Sequence, residues 1–252
     1  MIQGLYTAAN GMFAVEAKQA AIANNIANTS TPGYKRAEPI LSGFYTEFSA
    51  QLRQPFHFDI SPAPGGGVRV GETFADLAEG PLTETDNPLA MALQGPGFFV
   101  VNTPGGERYT RSGAFTIDQQ GQLATQDGHK VQGVGGTPID VRNGKVEVGT
   151  DGTIRVDAVP AGQLRLLQFE NPRALKRDGG NLFSAAPADI QKATPPTNTF
   201  VQNKALESSN VNLPQEITAM MLGMRAYEAN QKVVQAIDST MSRLIDQIGF
   251  PS

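Results

Sequence analysis

The 252-residue sequence contains no cysteine and only two histidines, His57 and His129. The first absence excludes disulfides and thiolate chemistry, and a zinc site would have to rely on those histidines and on carboxylates. Charge is scarce as well: Asp, Glu, Lys and Arg make up 17% of the chain, against about a quarter in ordinary soluble domains. The net charge of −4 and pI near 5.3 leave no electrostatic footprint for nucleic acid or anionic lipid, so neither is expected as a partner. No apolar run reaches the length of about eighteen residues that membrane insertion would need. The start, Met1 to Thr7, lacks the basic region, apolar stretch and cleavage site of a conventional secretory signal, so export would need a dedicated route. A surface this poor in charge is weakly protected against association, and a neighbour is expected to cover part of it.

Catalytic constellations are missing too. There is no His-x-x-x-His pair, no Gly-x-Ser-x-Gly and no P-loop. His57 sits between Phe56 and Phe58 in a Pro-rich segment, and His129 follows Asp-Gly; both read as loop residues. Gly65-Gly66-Gly67 and Gly95-Pro96-Gly97 lack the strand-to-helix context of a phosphate site. Asp118, Asp127 and Asp151 stand near glycines, where a short acceptor side chain favours a turn over a calcium site. No enzyme activity, cofactor or metal is expected.

What the chain does have is a helical pattern at each end. Apolar positions at Leu5, Ala8, Met12, Val15, Ile22 and Ile26, with one polar lapse at Gln19, alternate steps of three and four. Asn28-Thr29-Ser30-Thr31-Pro32-Gly33 should end that helix, because Pro32 cannot continue it and Pro-Gly suits a type II turn. The same spacing returns at Ile217, Met220, Met224, Tyr227, Val234, Met241, Ile245 and Ile248, with polar positions at Gln231 and Asp238. Asn212 is the expected N-cap, and Gly249 with Pro251 the stop. Between the ends the period drops to two. Lys145–Val148 and Thr153–Asp157 flank Thr150-Asp151-Gly152 as a hairpin, and Phe98-Phe99-Val100-Val101 suits a buried strand.

The reading is therefore a mixed fold: an antiparallel all-β middle domain flanked by N- and C-terminal helices that form a coiled-coil assembly region. Its parts are 1–33, the first helix and turn; 34–89, an extended connector; 90–185, the β domain; 186–209, a second connector; and 210–250, the last helix. The helices could instead form an intramolecular hairpin that caps the β domain. Composition favours assembly, since Glu16 and Lys18 are the only charged residues between Gln3 and Asn28.

Ala23-Asn24-Asn25-Ile26-Ala27-Asn28-Thr29-Ser30-Thr31-Pro32-Gly33-Tyr34-Lys35-Arg36 resembles the N-terminal signature of the flagellar basal-body rod and hook family. Ser209-Asn210-Val211-Asn212, Glu216 and Arg225-Ala226-Tyr227-Glu228-Ala229-Asn230 resemble its C-terminal signature. Leu93 to Val101 and Tyr109 to Phe115 look like the start of its middle domain. The residues that carry the family motif are thus Asn24, Asn25, Asn28, Thr31, Pro32, Gly33, Asn210, Asn212, Arg225, Tyr227 and Glu228. The resemblance implies a structural subunit of the basal-body rod, exported without a cleaved signal by the flagellar export apparatus. It implies a helical homo-oligomer that also contacts other rod and hook axial proteins. The length suits a rod subunit, and the segment from Phe44 to Gly80 with the Gln-Gly-Pro-Gly-Phe-Phe form leans toward the distal rather than the proximal rod type. The alternatives are a hook-type axial subunit, a β-domain module that binds glycan or cell wall, and a hydrolase.

Overall fold

The computed structural model describes residues 2–43, 68–142 and 144–248. The expectations for His57, for Gly65-Gly66-Gly67, for most of the segment from Phe44 to Gly80, and for Gly249 and Pro251 lie outside the described residues. The helices are α1 (Ile2–Ala27), the short α2 (Pro187–Lys192) and α3 (Leu213–Ile248). At about 1.5 Å per residue, α1 is about 39 Å long and α3 about 54 Å. Helix α3 begins at Leu213, directly after Asn212, and α1 stops before the Asn28–Gly33 turn. The chain divides into two compact units: one of Met1–Ile26, Ala37–Thr73 and Leu213–Ser252, the other of Ala27–Arg36 and Phe74–Asn212.

The first unit holds α1, α3 and the pairing of strands Ala37–Gly43 and Val68–Ala75, the second of which runs on past its boundary. Helices α1 and α3 lie antiparallel. Gly4 approaches Ile237, Gly11 approaches Asn230, Gln19 approaches Gly223, and Asn25 meets Glu216. Glycine at three of these contacts lets the two backbones come close, as a Cβ on Gly11 would stand 3.1 Å from the Asn230 side chain. Among the described residues few side chains of this unit are fully covered; along α1 the buried ones are Ala8, Ala14, Ile22 and Asn25.

The second unit is antiparallel in its strand pairs among the described residues. Its largest sheet runs in the order Lys176–Arg177, Leu182–Ser184, Gly106–Thr110, Phe98–Thr103, Lys130–Val131, Leu123–Thr125, Phe115–Ile117, with Leu166–Leu167 also pairing onto Phe98–Phe99. The first four residues of strand Phe98–Thr103 are covered on both faces, which is why they read as an unbroken apolar run. Phe98 and Val100 join one core with Tyr109, Phe169 and Phe183, while Phe99 and Val101 join another with Leu93, Phe115, Leu123, Ile154 and Val201. The rings pack edge to face, Phe99 on Phe115 at 5.0 Å and Tyr109 on Phe169 at 4.7 Å, the arrangement that aromatic quadrupoles favour.

The expected hairpin is present, with Val146 opposite Val156 and Val148 opposite Ile154. A third strand, Val159–Gln163, follows through Asp157-Ala158, both at positive φ, as a two-residue hairpin turn of this hand requires. The unit reaches beyond residues 90–185 on both sides. Phe200–Asn203 pairs with Met91–Gln94, and Ala205–Glu207 pairs with Leu82–Glu84, so stretches expected as plain connectors supply sheet partners.

Candidate assembly site

In the first unit the polar centre is Asn25, 1% exposed. Its amide accepts from the Ala37 N–H at 2.8 Å, donates to the Ala37 carbonyl at 2.9 Å, and approaches Glu216 at 3.4 Å. One side chain thus satisfies both backbone groups of the residue that opens the first strand. A polar pair at a helix contact restricts register in the way a single buried Asn does in coiled coils. Helix α3 turns Glu216, Gly223, Asn230 and Ile237, each seven residues apart, toward α1.

The expected seam positions divide. On α1, Ala8 and Ile22 are buried, while Leu5, Met12, Val15 and Ile26 are half-buried. On α3, Met220 and Val234 are half-buried, while Ile217 (46%), Met224 (51%), Tyr227 (38%) and Met241 (37%) are exposed. The side chains of Ile245 and Ile248 lie outside the described residues. Two apolar flanks result, on opposite sides of the face turned to α1, since neighbouring residues differ by about 100° around a helix. One carries Ile217, Met221 and Met224; the other carries Leu222 and Val233, while Leu244 continues the line of Ile237 seven residues on. Arg225 and Glu228 of the C-terminal motif are exposed on the same helix.

In the second unit the signature residues do other work. Gly33 sits at φ +69°, and a Cβ there would stand 2.4 Å from the Ser112 backbone. Asn28 accepts from the Thr31 hydroxyl at 3.2 Å, and Asn181 donates to the Pro32 carbonyl at 3.2 Å. Asn210 accepts from the Arg36 N–H at 2.7 Å and donates to the Asp76 and Ala78 carbonyls, joining three stretches of chain. Asn24 and Asn212 are exposed.

Sequence reasoning singled out neither Lys35 nor Glu207 as a site, yet they are 1% exposed and paired at 2.5 Å. Lys35 also donates to the Ala78 carbonyl at 2.7 Å, and the Gly80 N–H donates to Glu207 at 2.9 Å. Arg111, 4% exposed, lies 3.6 Å from the other Glu207 oxygen, with its guanidinium 5.4 Å from the Phe98 ring centre. Burial pulls the Lys35 ammonium below its ordinary pKa, with the Glu207 charge working the other way; burial lowers Arg111 as well. The available signal was a Tyr-Lys-Arg run directly after a Pro-Gly turn in a chain short of charge. Among the described residues no group of three His, Asp or Glu is placed to hold a metal, and no helix is long and apolar enough to cross a membrane.

Three family models match in order along the chain. The flagella basal body rod protein model covers residues 5–35, the flagellar hook protein FlgE/F/G D1 domain covers 92–156, and the flagellar basal body rod FlgEFG protein C-terminal model covers 202–247. The flagellar basal-body rod protein FlgG of Caulobacter vibrioides is 36% identical over 95% of this chain and 97% of its own. The chain belongs to the flagellar basal-body rod protein family. Other rod-family relatives include the FlgG of Agrobacterium fabrum, 33% identical over 96% of this chain and 97% of its own, and the FlgF of Mesorhizobium japonicum, 30% identical over the whole of both. The protein is a structural subunit of the flagellar basal-body rod, and the basal body is its location. Its rod-family signatures therefore combine three kinds of residue: exposed ones on α3, the buried Asn25 of the helical unit, and buried or half-buried ones that fasten segments 27–36 and 207–212 into the β-rich unit.

Proposed function

We propose that this rod subunit polymerises through α1 and α3, adding to copies of itself and to other rod and hook axial proteins as part of the drive shaft, without catalysis. The observation that carries this reading is the exposed apolar surface of α3: Ile217, Met221, Leu222 and Met224 are 46–60% exposed on consecutive turns. Each would remove apolar area from water on contact with a neighbour, worth roughly 25 cal/mol per Å². Two different flanks on one helix make heterologous contacts, and heterologous contacts that do not close build a helical filament. In such a filament the flanks and the outer face of α1 are packed as a coiled-coil layer. Leu5, Ala8, Met12, Val15, Ile22 and Ile26 from α1 contribute to that layer, as do the eight apolar seam positions of α3. Delivery is by the flagellar export apparatus.

The test is Met224→Lys in cells. Loss of motility and absence of the subunit from purified basal bodies are expected, with an unchanged melt of the purified protein. Wild-type incorporation of Met224→Lys would refute the proposed contact.

A further inference from the structure

The β-rich unit buries a set of charges that no part of rod assembly has yet used. Lys35, Arg111 and Glu207 come from three distant stretches of chain, and all three are at most 4% exposed. The set contains two cations and one carboxylate. Glu207 bonds Lys35 through one oxygen and faces Arg111 through the other at 3.6 Å, too long for a hydrogen bond; that oxygen and Arg111 Nη1 have no hydrogen-bond partner. Glu207 also fixes backbone: its side chain accepts from the Gly80 N–H, and its carbonyl accepts from the Gly33 N–H at 2.6 Å. Gly80 leaves no room for adjustment, because a Cβ there would stand 2.0 Å from the Ser208 carbonyl oxygen.

We propose that Glu207 is the closing element of a charge clamp that makes completion of the β-rich unit conditional on the chain segment just before α3. Until that segment arrives, Lys35 and Arg111 have no buried carboxylate between them, and the exposed Glu79 reaches both through its charge alone. Burying two like charges without a counter-charge is among the most unfavourable events available to a fold, whereas a neutral or apolar set of similar shape is tolerated. Segment 27–36 therefore stays undocked, and the unit stays open, in any chain whose residues 205–209 are missing or displaced. The consequence is an order of events: the residues that follow α1 and those that precede α3 lock together in one step, late in folding. Only a chain carrying both presents a closed β-rich unit.

The clamp is tested in the full-length protein by hydrogen exchange over Phe98–Thr110, reading the closed unit, and over residues 31–36, reading the docked segment. Glu207→Gln is expected to lower protection of both by about a hundredfold or more. Adding Lys35→Met to Glu207→Gln is expected to restore at least tenfold, because one of two uncompensated cations is gone. Two unrelated structural losses would add instead. Double-variant protection no better than that of Glu207→Gln would overturn the clamp, as would a Glu207→Gln chain as protected as wild type. The dependence on position is read with Gly80→Val, which displaces the Ser208 strand while leaving every charge in the sequence. It should open the unit in the wild-type background and cost at least tenfold less with Lys35→Met, Arg111→Met and Glu207→Leu all present, the steric loss being common to both. Equal damage in both backgrounds would assign the loss to packing and refute the conditional role of charge.

Discussion

The two units solve the problem of burying apolar surface in opposite ways. The β-rich unit covers its large side chains with its own chain: Phe99, Val100, Val101, Tyr109, Leu123 and Ile154 are fully buried. The helical unit covers mainly small or polar ones and leaves Met221, Leu222 and Met224 at least half exposed. A core finished within one chain tolerates isolation. A helix pair with large apolar groups outside and glycine or asparagine inside leaves apolar surface that its own chain does not cover. The contrast teaches that this subunit completes its core in one unit and leaves its uncovered apolar surface in the other.

The strongest way to break the first half of that contrast is Gly113→Ala. A Cβ there would stand 1.5 Å from the Met91 carbonyl oxygen, in a fully packed region, so backbone must move. A loss of about 3 kcal/mol or more is expected in a denaturant melt of the β signal. An unchanged midpoint would show that the unit is looser than its packing implies.

A paired experiment sharpens the second half. Ile22→Lys places a charge at a position 4% exposed, and should reduce helicity of the purified subunit by several kcal/mol of lost pairing. Leu222→Lys, at 60% exposed, should change the monomer by less than about 0.5 kcal/mol while blocking polymerisation. If both variants unfold the monomer's helices alike, the exposed flank is part of the intramolecular pairing after all.

Much of this architecture was legible in advance. Period-3.6 spacing marked both helices, and the Thr150-Asp151-Gly152 turn with flanking alternation marked the central hairpin. The face that α3 turns toward α1 was not legible at its true register. The three-and-four spacing selects Ile217, Met224, Gln231 and Asp238, whereas the positions that contact α1 are Glu216, Gly223, Asn230 and Ile237, one residue earlier. Glycine and asparagine at a close helix contact carry no hydrophobic signal. Pairing of Phe200–Asn203 with Met91–Gln94 and of Lys35 with Glu207 was equally silent, since local pattern does not encode partners far away in sequence.

Smaller effects refine the picture of the β-rich unit. Ala158 occupies φ +67°, where an L side chain costs roughly 1 kcal/mol, so Ala158→Gly should raise stability by up to about that amount. A lower midpoint would mean that the Ala158 methyl makes contacts worth more than the strain. The last effect is a slope with pH. The Thr153 hydroxyl and N–H hold the Asp151 carboxyl below its ordinary value of 3.8. A depressed carboxyl contributes stability above that value and loses it as pH falls through its folded pKa. Wild type should therefore lose melting temperature below pH 3.8 slightly faster than Asp151→Asn; parallel acid slopes would remove Asp151 from the account.

Helix α3 outruns its partner. Its contacts with α1 step every seven residues through Glu216, Gly223, Asn230 and Ile237, and Ile237 already meets Gly4 in the first turn of α1. Leu244 is the next position on that line, and it is 37% exposed. The pair therefore ends in an overhang: the line that α1 covers along its length runs on bare past the first described turn of α1, like the step left in a half-cut scarf joint.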